Sequence, residues 1–144
     1  MFIDTNVLVR ARFTVAPSHD LARARLREAL GSEERPRISR QIVREYLAVV
    51  TRSQIWSVPL PMSDALQDVD WFVSEFDILE EGPDVTHLLA ELCREVPVAG
   101  RQVHDANIVA TMLAHAEQRL LTFDQGDFRR YGNRISLIDP TRSD

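Results

Sequence analysis

The chain is 144 residues long, 44% apolar and 27% charged, with a formal net charge of -5. That length suits one domain with a real core, the composition excludes a disordered or fibrous chain, and no apolar run is long enough to cross a bilayer. The acidic balance argues against a protein that coats nucleic acid without specificity. Asp4 and Asn6 fall where a secretory leader would be apolar, so a cytoplasmic location without membrane attachment is expected.

In chain order, Phe2 to Asp4 reads as a strand with almost no lead-in, and Val7-Leu8-Val9 as a turn into a helix. Ser18 is placed to cap a helix through Leu21, Leu26 and Leu30, which stops at Gly31. Glu33 to Arg37, carrying Pro36, is a loop; Ile38 marks a short strand and Ser39 is placed to cap the next helix. From Arg40 to Thr51, Ile42, Val43, Tyr46, Leu47, Val49 and Val50 recur at helical spacing. Beyond Pro59 and Pro61, Ser63 is expected to cap a helix that buries Leu66, Val69, Trp71, Phe72 and Val73. Phe76 to Leu79 reads as a strand, and Asp84 as the cap of a helix through Val85, Leu88, Leu89 and Leu92 into Cys93. Pro97 and Gly100 bound a loop before a helix from Val103 to Ala116. Leu120 to Phe123 is a strand, Asp124 to Gly132 a loop, and Ile135 to Ile138 a last strand.

Short strands alternating with helices, without hairpin signals, predict one α/β domain over residues 1–144, with a parallel sheet and helices on both faces. Ligands of such sheets bind beyond the carboxyl ends of the strands. Asp4 and Asp124 follow predicted strands, while Glu45 and Asp105 lie on helices flanking that edge. Carboxylates beside apolar segments are costly unless a cation compensates them. All 17 basic residues are arginine, so no lysine is available, and a hard divalent ion is the leading candidate for that charge.

The segments Ile3-Asp4-Thr5-Asn6-Val7-Leu8 and Ile42-Val43-Arg44-Glu45-Tyr46 resemble the start of a PIN domain. Gly100 to Thr111, containing His104-Asp105-Ala106-Asn107, looks like its central helix, and Leu121 to Phe128 like its final acidic loop. The resemblance covers nearly the whole chain, at the compact length of the VapC-type toxins. It implies a three-layer α/β/α sandwich with a short central parallel sheet, and an endoribonuclease dependent on Mg2+ or Mn2+. It further implies the toxin of a type II toxin–antitoxin pair, a homodimer, and a small antitoxin protein over the active site. The catalytic acids would be Asp4, Glu45, Asp105 and Asp124, and the metal ligands Asp4, Asp105 and Asp124 with Asp127 as accessory acid. Either Asp124 or Asp127 would be the fourth acid of the metal site. Asn6 and Thr122 would orient the carboxylates.

Metal held by carboxylates can generate a hydroxide, neutralise the phosphate and help the departing oxygen. Arg10, Arg12, Arg101, Arg129 and Arg130 are candidates for RNA phosphate contacts, since arginine grips phosphate bidentately. The four histidines are scattered without metal-ligand spacing, with His104 the one beside an acid. Cys93, the only cysteine, excludes an internal disulfide and reads as a small buried group. Trp56, Trp71 and Phe72 read as core or dimer contacts. A receiver domain or a dehalogenase-type phosphatase would need a lysine that is absent. The standing alternatives are an RNA-maturation nuclease outside a toxin system and a PIN fold kept only for protein interaction.

Overall fold

Among the described residues, 1–142 of a computed structural model, five strands of two or three residues form one wholly parallel sheet. In chain order the elements are β1 (Phe2–Ile3), α1 (Thr5–Arg12), α2 (His19–Leu30), β2 (Arg37–Ser39), α3 (Arg40–Val50), α4 (Met62–Glu75) and β3 (Asp77–Leu79). Then come α5 (Pro83–Glu95), α6 (Gln102–Ala114), β4 (Arg119–Leu121), α7 (Gln125–Phe128), a 3-10 turn (Arg129–Tyr131) and β5 (Ser136–Ile138). The order across the sheet is β3-β2-β1-β4-β5, which puts the amino-terminal strand at the centre. Phe2 pairs with Arg37 on one side and with Leu120 on the other. Helices flank this sheet as in a PIN-like three-layer α/β/α sandwich. Both faces of the sheet are therefore covered, and Phe2, Ile3, Ile38, Leu120 and Leu121 are buried as a two-sided parallel sheet requires.

Several local expectations change. Ser18 does stand at the start of α2, but in left-handed backbone (φ 60°) and without a side-chain capping bond. Its carbonyl, accepting from the Ala22 amide at 2.9 Å, starts the helix instead. Gly31 closes α2 in right-handed conformation, so nothing at that position demands glycine. Ser63 lies inside α4, whose first helical residue follows Pro61. Of the apolar residues on α4, Phe72 and Ala65 are buried, whereas Leu66, Trp71 and Val73 are exposed. A helix that docks along one stripe cannot turn all its large residues inward. Cys93 is exposed, because Leu92 takes the buried position on that turn of α5. The predicted loop after Asp124 contains α7 and the 3-10 turn, which bury Phe128 and Tyr131.

Candidate active site

Asp4 leaves β1 and becomes the cap of α1. One carboxylate oxygen accepts from the Thr5 amide at 2.7 Å. The other accepts from Asn6 Nδ2 at 2.8 Å and Thr122 Oγ1 at 2.6 Å. Asn6 Nδ2 also reaches Thr122 Oγ1 and Asp124 Oδ2, each at 3.0 Å, so its two hydrogens are shared among three acceptors. The Phe123 amide donates to Asn6 Oδ1 at 3.1 Å, and the Asp124 amide to Thr122 Oγ1 at 3.0 Å. These bonds staple the turn after β1 to the turn after β4, its neighbour in the sheet. Asn6 and Thr122 thus hold Asp4 and Asp124 in place.

Glu45 arrives from α3. Its Oε2 accepts from Thr5 Oγ1 at 2.8 Å and its Oε1 from Gln41 Nε2 at 2.7 Å. Gln41 is buried one helical turn earlier and donates a second bond to the His104 carbonyl at 2.9 Å. Its own Oε1 accepts from Asn107 Nδ2 at 2.7 Å. Gln41 therefore binds α3 to α6 and presents Glu45 beside Asp105. Neither Thr5 nor Gln41 stands out in the sequence as a site residue. The available signal for Gln41 is its position four residues before Glu45, the spacing at which helix side chains meet.

Asp4, Glu45, Asp105, Asp124 and Asp127 all line one cavity of about 800 Å3. Among the described residues none of the five takes part in an ion pair. The electrostatic consequence is large. Burial pushes Asp4 up to about 7, reinforced by Asp124 and Glu45 and opposed by the bonds from Thr122 and Thr5. Burial likewise lifts Asp105 to about 6, helped by Asp127, Glu45 and Asp124, with Arg130 pulling the other way. Asp105 lies in the first turn of α6, where the helix dipole favours the charged form. Burial and neighbouring acids outweigh that term.

This donor set, hard oxygens with an uncompensated charge, fits a magnesium-class cation in kind. Among the described residues no three acidic, histidine or cysteine groups stand close enough to form a finished ligand cage. The arrangement is an open acidic mouth whose side chains would have to draw together around an ion.

The arginines divide. Arg10 and Arg101 line the cavity. Arg130 stands near enough to Asp105 to lower it, and donates to the Pro97 carbonyl at 3.3 Å. Arg12 points elsewhere: it pairs with Asp68 at 2.8 Å in a separate groove beside Tyr46. Arg129 is exposed on the 3-10 turn and does not line the cavity. Two arginines not singled out by the sequence for phosphate, Arg44 and Arg52, do line it, as does Trp56. Of the histidines only His104 lines it; His19 and His115 bond backbone carbonyls and His87 faces Glu91 on the surface.

The family model of the PIN domain matches residues 1–134. Ribonuclease VapC48 of Mycobacterium tuberculosis is 27% identical over 139 residues, covering 95% of this chain and 94% of that protein. The structure of VapBC2 from Rickettsia felis, bound to a DNA fragment from its promoter, is similar with a TM-score of 0.71 at 22% identity, covering 96% of each chain. A toxin–antitoxin complex from Klebsiella pneumoniae is similar with a TM-score of 0.68 at 20% identity, covering 99% of this chain and 98% of that one. The family match takes in every element except β5, and this chain belongs to the PIN domain family.

Proposed function

We propose that this chain is an endoribonuclease dependent on Mg2+ or Mn2+ and the toxin of a type II toxin–antitoxin pair. The observation that carries the reading is Asp4: a buried carboxyl, held by three neutral donors, facing other acids and in no ion pair among the described residues. A fold that meets the cost of burying such a group without pairing it has kept the site for a ligand of opposite charge. The relative named as a ribonuclease supports the choice of RNA, and the similar toxin–antitoxin complex supports the partner.

Asp4, Asp105 and Asp124, with Asp127 as accessory acid, would hold the ion. Bound there, it would supply an acidified water and neutralise charge on the phosphate. Glu45, fixed by Thr5 and Gln41, is assigned to take a proton from the attacking water. Asn6 and Thr122 keep Asp4 and Asp124 oriented. Arg10, Arg101 and Arg130, joined by Arg44 and Arg52, draw the RNA backbone to the mouth. A homodimer and a small antitoxin protein complete the proposal.

The test is RNA cleavage with purified protein. Asp4→Ala or Asp105→Ala should abolish cleavage with magnesium and abolish growth arrest on expression, with an unchanged circular dichroism spectrum. Full toxicity in either variant would remove the assignment.

A further inference from the structure

The acidic residues occupy only part of the cavity. They sit at the starts of α1, α6 and α7 and on α3 at Glu45, while the cavity continues along α1 to Val9 and Arg10, along α3 to Ala48 and Val49, and past the end of α3 to Arg52. At 1.5 Å of rise per residue, the helical positions among these lie roughly 4–9 Å along α3 and α1 from Glu45 and Asp4. The wall there is completed by Trp56, read from the sequence as a core or dimer contact, which packs against the core and also lines the cavity.

Trp56 is held, not loose. It sits in a tight turn where the Gln54 amide donates to the Ser57 carbonyl at 3.2 Å and Gln54 Nε2 to the Val49 carbonyl at 2.9 Å. The Leu60 amide donates to the Val50 carbonyl at 2.8 Å and returns the loop to α3. The Trp56 ring packs edge-wise with Phe13, centroids 5.2 Å apart, and remains partly exposed. A fixed aromatic surface loses little freedom when something stacks on it. Among the described residues Arg10, Arg52 and Arg101, around the same cavity, form no ion pair.

We infer that this end of the cavity is a subsite for one unstacked base of a single-stranded RNA segment, with Trp56 as the platform and Arg10 and Arg52 on the flanking phosphates. The inference rests on the nuclease reading above and names residues that would hold its substrate. Arg10 is held over the Phe123 ring at 4.4 Å and by the Pro17 carbonyl, and Arg52 forms no ion pair among the described residues. These guanidinium groups with an aromatic ring and an apolar floor match an anionic strand carrying flat apolar groups. Paired bases in a duplex are stacked on both faces and cannot present a face to Trp56.

The chain has two tryptophans, so Trp71→Phe leaves Trp56 as the sole emitter. This variant is titrated with hexauridylate and hexaadenylate, and with versions abasic at each position in turn, calcium replacing magnesium. A saturable change in fluorescence is expected with at least one hexamer. One abasic position should weaken binding by about 5- to 150-fold and remove the change. Trp56→Ala should raise KM for RNA cleavage by a similar factor with kcat little altered, and Trp56→Phe should recover most of the loss. Binding that leaves fluorescence unmoved, or an abasic series that binds as tightly as the intact hexamers, overturns the subsite. So does RNA cleavage by a protein that binds neither hexamer. Absence of both binding and cleavage of any RNA would bring down the nuclease reading itself.

Discussion

Two carboxylates at opposite edges of the sheet are equally buried, each 6% exposed, and are treated in opposite ways. Glu117 precedes β4 at the amino-terminal edge. The Met1 ammonium lies 2.8 Å from it and Arg37 3.6 Å, and the amides of Gln118 and Arg119 donate to it at 3.1 and 2.9 Å. Burial alone would raise it, yet the ammonium and the Arg119 amide hold it below the usual carboxylate range. Asp4, at the carboxyl edge, receives only neutral donors and is driven up to about 7. One acid is a finished structural contact and the other an unfinished one. Burial does not separate them; the charge of the groups that contact them does.

Neutralising each acid in turn should separate the two most sharply in function. Asp4→Asn should reduce RNA cleavage by at least about 100-fold, the upper range for groups that tune a metal site, while Glu117→Gln should leave the rate per folded molecule unchanged. Equal losses of kcat in the two variants would erase the distinction. The next contrast concerns pH. A carboxyl raised from 3.8 to about 7 in the folded state contributes stability below the unfolded value that is lost as pH rises through 7. The metal-free protein should therefore lose about 3 kcal/mol between pH 4.5 and 8, measured by urea unfolding, and Asp4→Asn should flatten that slope. Magnesium should flatten it too, by giving the charged form a partner.

Glu117→Gln should then cost about 1–2 kcal/mol at pH 7, a modest figure because Arg37 and Arg119 are partly solvated. Its cost should vanish on acidification, since a depressed carboxyl stabilises only above its unfolded value. A melting temperature equal to wild type at pH 7 would show that the amino-terminal edge is not held by this contact. A milder change tests support within the site. Gln41→Leu removes the donor to Glu45 and should lower kcat about 10-fold with little change in KM, read from single-turnover cleavage.

Legibility in the sequence follows the same divide. Asp4, Asp105 and Asp124 can be found because each stands at a strand end or a helix start, where an acid next to apolar residues is conspicuous. The parallel α/β order is legible for the same reason. The place of Trp56 is not, because a bridge between Gln54 and Ser57 holds its loop and no periodicity reveals such a contact. The pairing of Arg12 with Asp68 is not legible either, because that partner is 56 positions away on α4. The apolar stripe of α4 locates a helix but not its facing, so Trp71 and Leu66 are expected inward and lie outside. The four-residue α7 is too short to show any period.

The central position of β1 has a bearing on biosynthesis. Asp4 and Thr122 are 118 positions apart, and β1 must wait for β4 before the two meet. During translation Asp4 and Asn6 are made early and stay without these partners until the segment carrying Thr122 and Asp124 has left the ribosome, so the acidic mouth is incomplete in a nascent chain.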